Sequence, residues 1–447
     1  MASRRTHTIV FGLGVTGLSC VRYLHGRDRL TVVDTREQPP GLGEARSAFP
    51  DARYVVGSAL DSALFLDAER IVVSPGIALD APLLERARGR GVPCIGDIDL
   101  FCDAARAPVV AITGTNGKST ATALAGELAE RAGLDVGVGG NLGTAALDLL
   151  RESRDAYVLE LSSFQLERLQ KGRFDVGSVM NVTPDHLDRY RDIEEYAASK
   201  QRIYRDTRVA IFNRADPRTV PIESVGSIVS IGVDAPADDG SWGVGESHGK
   251  RVLLHGSSAV IDSNELGIRG RHNEFNALTA LAAVDAIGVD ATKVTDVLRE
   301  FRGLSHRCQT VAELHGVTFI DDSKATNLGA AVAALEGLGD AARRHIVLIA
   351  GGDAKGADLS PLGEVVGRYV HDVIVLGRDA DIVARAVQTF APVTRVATIE
   401  AAVAAAHERS RHGDIVLLSP ACASLDMFRN YEARGRAFVD AVTRLAS

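Results

Sequence analysis

Short, nearly continuous apolar runs alternate with longer helical patterns along all 447 residues of the chain. A strand buried on both faces must be apolar at every position, and helices supply both the crossovers and the cover. The alternation therefore predicts α/β architecture with mostly parallel, doubly wound sheets. The runs fall into three groups. Thr8 to Phe11, Leu30 to Val33, Tyr54 to Val56 and Ile71 to Val73 each end in a Gly, Asp or Ser loop, which predicts a small Rossmann-like unit ending near Gly96. The second group comprises Val109 to Ile112, Tyr157 to Leu161, Val176 to Val182 and Val209 to Phe212. The third comprises Val317 to Ile320, Ile346 to Ile349, Val373 to Leu376 and Ile415 to Leu418, separated by helical patterns such as Ala380 to Val387. Three domains are expected, at 1–96, 97–303 and 304–447, the outer two Rossmann-like. Pro236 to Lys250, rich in Asp, Gly and Ser, reads as a surface loop or hairpin without chemistry.

A formal charge of -8 and the absence of long Lys/Arg runs argue against a general grip on nucleic acid or an anionic membrane. Anionic phosphates must therefore be held by local devices. No run of some 18 apolar residues occurs, and the N-terminus enters its first strand without a leader-like stretch, so a cytoplasmic protein is expected. Cys20, Cys94, Cys102, Cys308 and Cys422 show no paired spacing and read as reduced, mostly buried thiols.

The strongest local device follows the run Val109 to Ile112. It is Thr113-Gly114-Thr115-Asn116-Gly117-Lys118-Ser119-Thr120, and the apolar stripe Leu124, Leu128, Ala132 comes next. Strand, glycine loop and helix stand in the order that a phosphate cradle needs. Backbone N–H groups and the helix start face phosphate oxygens, Lys118 reaches the terminal phosphates, and Ser119 offers a hydroxyl to Mg2+. The loop is two residues shorter than the strict Walker pattern. The first domain carries a second glycine motif, Gly12-Leu13-Gly14-Val15-Thr16-Gly17, with Asp34 placed 20 residues after Gly14. Taken alone this spacing predicts a dinucleotide such as NAD, with a purely structural turn as the alternative.

The shortened phosphate loop resembles the ATP site of the Mur ligases and of their relative, folylpolyglutamate synthase. Gly12 to Ser19, the Leu159-Glu160-Leu161-Ser162-Ser163-Phe164-Gln165-Leu166 segment, Asp322-Ser323-Lys324-Ala325-Thr326-Asn327 and Leu418 to Asp426 narrow the likeness to the D-glutamate-adding members. The matches occur in every expected domain and in order, so the resemblance covers essentially the whole chain.

The resemblance implies roles residue by residue. Gly114, Thr115, Asn116, Gly117, Lys118, Ser119 and Thr120 would hold ATP phosphates, Asn273 the adenine, and His306, Arg307 and Asp322 the rest of the nucleotide. Gly14, Val15, Thr16, Gly17 and Ser74 would face a UDP-linked precursor in place of NAD, with Asp34 and Thr35 by the uracil; Asn141, Ser162, Gln165 and His186 would touch its other end. Mg2+, one ion or two, would be held by Ser119, Glu160, His186 and Lys200, the last as a carbamate. Lys118, Glu160, His186, Lys200 and Asn141 would be catalytic. Lys324, Thr326, Lys355, Ser424, Leu425 and Tyr431 would surround D-glutamate, with Tyr431 where the family commonly has Phe.

Without the resemblance, a strand-end Glu160 is costly unless it meets cations or donors. Lys200 would be a solvated lysine, Lys355 a loop lysine and Asn273 a helix cap. The implied reaction is ATP-dependent ligation of D-glutamate to UDP-N-acetylmuramoyl-L-alanine through an acyl phosphate, by an expected monomer. Competing readings are another ligase of the family, a folylpolyglutamate-type ligase, a nicotinamide-dependent oxidoreductase and a nucleotide-binding regulator. The N-terminal UDP-type domain disfavours the folate-type ligase, and neither of the last two explains the Lys118 loop together with the Lys324 and Ser424 segments.

Overall fold

The computed structural model describes residues 5–57, 60, 62–186, 189–268, 270–340 and 342–445, so Leu187 and Asp188 beside His186 lie outside the described residues. The chain forms two compact units, Met1–Val182 with Asp192–Ile231 and Thr279–Val294, and Thr183–Arg191 with Gly232–Leu278 and Thr295–Ser447.

The first unit holds two parallel arrays. Strands β1 (His7–Phe11), β2 (Arg29–Asp34), β3 (Arg53–Val56), β4 (Arg70–Val73) and β5 (Cys94–Ile95) are ordered β3-β2-β1-β4-β5. All four pairings are parallel, with Ile9 opposite Thr31 on one side and Ile71 on the other. Ile9, Phe11, Val33, Ile71 and Val73 pack on Phe65 and Leu84, because alternate residues of each strand reach the same covering layer. The other array contains β6 (Val109–Thr113), β7 (Val136–Gly140), β8 (Ala156–Glu160), β9 (Val176–Val179), β10 (Val209–Asn213) and β11 (Ser227–Ile231). Its order is β11-β10-β9-β6-β8-β7, again parallel throughout.

Two departures from expectation have physical causes. The run expected to continue to Val182 leaves the ladder after Val179, and Asn181 then turns its side chain onto the phosphate loop. Strand β7 carries three glycines and little apolar signal. A Cβ on Gly139 would lie 2.2 Å from the Thr144 carbonyl oxygen, and one on Gly140 2.4 Å from that of Glu160, so the close approach of backbone there requires glycine.

In the second unit, β12 (Trp242–Ser247), β13 (Lys250–His255) and β14 (Ser258–Asp262) are antiparallel. The polar stretch 236–250 is thus partly a hairpin, anchored by buried Trp242 stacked on His255 at 4.2 Å. The last sheet, β15 (Gln309–Leu314), β16 (Val317–Asp321), β17 (Ile346–Gly351), β18 (Val370–Leu376), β19 (Val393–Arg395) and β20 (Ile415–Leu418), is ordered β15-β16-β20-β17-β18-β19. Only β15 runs antiparallel among these pairings. Ile346, Leu348 and Ala350 enter one helical layer and Val347 and Ile349 the opposite one, which is why β17 has no polar position. Each of these Val, Leu and Ile side chains contributes about 1.5 to 3 kcal/mol by burial, and truncating Leu348 to Ala would cost about 2 to 5 kcal/mol.

All five cysteines are free; Cys20 and Cys422 are buried, whereas Cys94, Cys102 and Cys308 are only partly so, which corrects the expectation of mostly buried thiols. Among the described residues, no helix is long and apolar enough to cross a membrane.

Candidate active site

The phosphate loop leaves β6 with Gly114 at φ 153° and enters helix Lys118–Arg131 from Gly117 at φ 83°, the N-cap. A Cβ on Gly114 would press on Met180 Cβ at 3.0 Å. Asn181 braces the loop: its Oδ1 accepts from the amides of Thr115 (3.1 Å) and Asn116 (2.8 Å), and its Nδ2 donates to the Asn116 carbonyl at 3.0 Å. Lys118 Nζ curls back onto the loop, donating to the carbonyls of Gly114 (2.9 Å) and Thr115 (2.8 Å). Ser119 and Thr120 are buried in the first helical turn. The loop is thus held by hydrogen bonds to Asn181, with a helix N-terminus behind it.

Lys200 is not the solvated lysine that its helical context suggests. It lies in helix Ile193–Gln201 at 1% exposure, with Nζ 2.8 Å from the Gly114 carbonyl oxygen and 4.3 Å from the centre of the Tyr196 ring, one turn earlier. Glu160 ends β8 at 2% exposure, turned inward. Ser119 Oγ donates to its Oε2, and Asn141 Nδ2 donates to its Oε1 at 2.6 Å. The Asn141 amide also meets the Glu160 carbonyl at 2.8 Å. Hydroxyl and carboxylate oxygens beside a phosphate loop are the hard donors that Mg2+ prefers. Among the described residues, no three His, Cys, Asp or Glu side chains gather as a metal cage.

The first glycine motif is built by close packing. A Cβ on Gly17 would lie 1.8 Å from the Gly12 carbonyl oxygen, whereas one on Gly14 would meet nothing within 4 Å. Ser74 Oγ donates to the Gly12 carbonyl at 2.7 Å. Asp34 at the end of β2 accepts from the Leu13 amide at 2.7 Å and from Arg36 Nε (2.9 Å) and Nη2 (2.8 Å). Burial works against its ionisation, but the Arg36 guanidinium and the two amides hold the carboxyl below the ordinary range. Val15 and Thr35 are exposed, and the Thr16 carbonyl accepts from Ser19 Oγ at 2.8 Å. Ser162 and Gln165 cap one another, and Gln165 Nε2 donates to Asp97 Oδ2 at 3.1 Å. Burial raises Asp97 to about 6.

In the second unit, His186 adopts φ 56° with its amide on Asp185 Oδ1 at 2.9 Å. Asn273 is buried inside helix Arg271–Asp285 and accepts from Asn276 Nδ2 at 2.9 Å, so it does not serve as a helix cap. The remaining residues cluster where strands of the last sheet end. His306 Nδ1 meets Asp321 Oδ2 at 2.6 Å. Asp322 accepts from Ser419 Oγ (2.8 Å) and the Cys308 amide (3.2 Å), and burial pushes it to about 7 despite these donors and the Arg307 charge. Lys324 Nζ stands 4.4 Å above the Tyr431 ring. Thr326 is half-buried, Ser424 buried, and Leu425 and Lys355 exposed, the last at φ 50°.

Arg434, which no sequence pattern singled out, lies buried beneath these loops. It donates to the Ser323 carbonyl (2.8 Å) and Oγ (3.0 Å), the Cys422 carbonyl (3.1 Å) and the Gly351 carbonyl (3.4 Å). Three separate strand ends are thereby tied to one guanidinium. Asn181 was hidden in the same way, inside an apolar run.

Comparison with known proteins accords with this geometry. Residues 6–96 match the Mur ligase MurD-like N-terminal domain, 112–284 the Mur ligase middle domain, and 306–422 the Mur ligase glutamate ligase domain. The UDP-N-acetylmuramoylalanine--D-glutamate ligase of Pseudomonas aeruginosa is 49% identical over 440 residues, covering 98% of each chain. That of Legionella pneumophila (strain Paris) is 45% identical over 443 residues, covering 98% of this chain and 99% of the other. Among solved structures, a pseudomurein peptide ligase type C from Methanothermus fervidus superposes with a TM-score of 0.61 at 17% identity, covering 98% of this chain and all of its own, a likeness of fold. With three family domains in order and full-length relatives near half identity, the chain belongs to the Mur ligase family.

Proposed function

We propose that the chain joins D-glutamate to UDP-N-acetylmuramoyl-L-alanine at the expense of ATP, giving ADP and phosphate, in peptidoglycan precursor synthesis. The observation that carries this reading is the cluster in the first unit: a braced phosphate loop on which Lys118 and Lys200 converge, beside a Glu160 held by Ser119 and Asn141. The full-length relatives at 45 to 49% identity name the substrates.

A carboxylate is a poor electrophile until one oxygen becomes a good leaving group. In the proposed reaction the alanyl carboxylate attacks the γ-phosphorus of ATP, ADP departs, and an acyl phosphate forms. Lys118 neutralises charge on the transferring group, and the Gly114 to Thr120 loop orients the phosphates. The amine of D-glutamate then attacks the acyl carbon, the tetrahedral intermediate collapses, and phosphate leaves with the original carboxylate oxygen. Mur ligases use ATP and Mg2+. Here Ser119, Glu160, His186 and Lys200 would hold the ion, which when bound supplies further charge neutralisation. We assign Lys200 as a carbamate: an ammonium at 1% exposure is costly, whereas its neutral amine adds CO2, releases a proton and becomes an oxygen ligand.

We further assign Asn273, His306, Arg307 and Asp322 to the nucleotide. Gly14 to Gly17, Asp34, Thr35, Ser74, Asn141, Ser162, Gln165 and His186 go to the UDP substrate. Lys324, Thr326, Lys355, Ser424, Leu425 and Tyr431 go to D-glutamate. The three matched stretches support domains at 1–96, 97–303 and 304–447, and the enzyme is proposed to act in the cytoplasm as a monomer. The test is phosphate release from ATP that requires both UDP-N-acetylmuramoyl-L-alanine and D-glutamate, with 18O in the alanyl carboxylate. Label in the released phosphate is expected. Unlabelled phosphate, or turnover with L-amino acids instead, would overturn the reading.

A further inference from the structure

Helix Leu328–Leu338 follows directly on the Lys324 to Thr326 segment. Its cap, Asn327, accepts from the Ala330 amide through Oδ1 at 2.9 Å and donates from Nδ2 to Asp185 Oδ2 at 3.0 Å. At the far end of the same helix, Gly337 faces the imidazole of His272, from the first turn of helix Arg271–Asp285. A Cβ on Gly337 would lie 2.5 Å from His272 Nδ1, and one on Gly270 would lie 2.9 Å from its Cε1. The ring therefore fills a seat between two glycines, with its Nδ1 buried and without a hydrogen-bond partner among the described residues.

Glycine inside a helix costs about 1 kcal/mol relative to alanine. Gly337 is absent from the positive-φ glycines, so backbone geometry does not call for it; room for the ring does. An 11-residue helix is about 16 Å long. Contacts at both ends fix its direction as well as its place, whereas one contact would leave a pivot. Asp185 adjoins His186 and His272 adjoins Asn273, so each grip comes from a segment assigned to the nucleotide or UDP-substrate side.

We propose that Asp185 and His272 are positioning residues: by gripping opposite ends of helix Leu328–Leu338 they set the pose of the Lys324 to Thr326 segment for D-glutamate. This rests on the roles assigned above to His186, Asn273, Lys324 and Thr326.

The experiment measures two quantities on the full chain. One is the KM for D-glutamate. The other is acyl hydroxamate formed when hydroxylamine traps the acyl phosphate in the absence of D-glutamate. Gly337→Val fills the seat of the ring, His272→Ala empties it, and Asp185→Ala removes the cap's partner while Asp185→Asn retains an acceptor. Gly337→Val, His272→Ala and Asp185→Ala are expected to raise the D-glutamate KM about tenfold, with hydroxamate formation within about twofold of the unaltered protein. Asp185→Asn is expected to leave KM near its original value. Should Gly337→Val fail to fold, His272→Ala and the Asp185 pair decide. An unchanged D-glutamate KM in the folded variants overturns the proposal, as does a rise matched by equal loss of hydroxamate. Absence of hydroxamate from the unaltered protein would instead overturn the functional reading beneath it.

Discussion

Lys118 and Lys200 donate to the same backbone oxygen, the carbonyl of Gly114, at 2.9 and 2.8 Å. Two ammonium groups on one acceptor repel, and the buried one has the greater desolvation cost. Converting Lys200 to a carbamate removes the like charge and leaves Lys118 to turn toward phosphate. In bicarbonate-free, degassed buffer, ligase activity should fall and return when 13C-bicarbonate is added, with a carbamate 13C signal that Lys200→Ala lacks. Lys118→Ala should lower kcat by about 10^2 to 10^3. Full activity of either variant would sink the assignment.

The two glycines of the first motif should respond oppositely. Gly17→Ala forces a Cβ to within 1.8 Å of the Gly12 carbonyl oxygen, so about 1 to 3 kcal/mol of stability should be lost in urea unfolding. Gly14→Ala places its Cβ in open space at φ -90°, which any residue adopts. It should fold normally yet raise the KM for the UDP substrate about tenfold if the pyrophosphate approaches the backbone there. An unaltered KM would show that the motif is a structural turn.

Tyr431 tests the acceptor side. Lys324 Nζ sits 4.4 Å above its ring, a contact worth about 0.5 to 1 kcal/mol that a phenyl ring also provides. Tyr431→Phe should therefore leave the D-glutamate KM within about twofold, and Tyr431→Ala should raise it several-fold. Equal damage from both would mean that the hydroxyl, rather than the ring face, matters.

Asp97 makes stability depend on pH. Burial raises its folded value to about 6 from 3.8, so the folded state binds the proton more tightly than the unfolded chain does. Its contribution is complete below pH 3.8 and is lost as pH rises through about 6, a difference of about 3 kcal/mol. Its Oδ1 is buried without a hydrogen-bond partner, in keeping with a bound proton. Relative to the unaltered protein, Asp97→Asn should gain stability between pH 4 and pH 7, measured by urea unfolding followed by circular dichroism. A pH-independent difference would contradict this.

Strands buried on both faces were legible because their apolar runs cannot be mistaken for half-exposed surface. The residues of β1, β6 and β20 stand within one position of where the sequence placed them, and β17 runs two residues past its expected end. The glycine-rich β7 and the partly exposed β15 were not legible, since neither has an unbroken apolar pattern. In the site, Lys118 and Ser119 announce themselves through a contiguous loop. The burial of Lys200 does not, because it depends on a tyrosine one turn away and a carbonyl 86 residues distant. Asn181 and Arg434 act on backbone atoms of remote loops, and no local spacing encodes such partners.

The guanidinium of Arg434 has a consequence for the order in which the enzyme matures. The loops at Ser323, Gly351 and Cys422 all leave the ribosome before the helix Tyr431–Leu445 that gathers them. A nascent chain halted before residue 431 would already carry its complete phosphate loop and yet hold three acceptor-side loops without their common tether. Anchoring of the loops assigned to the incoming amino acid thus waits for the closing turns of translation.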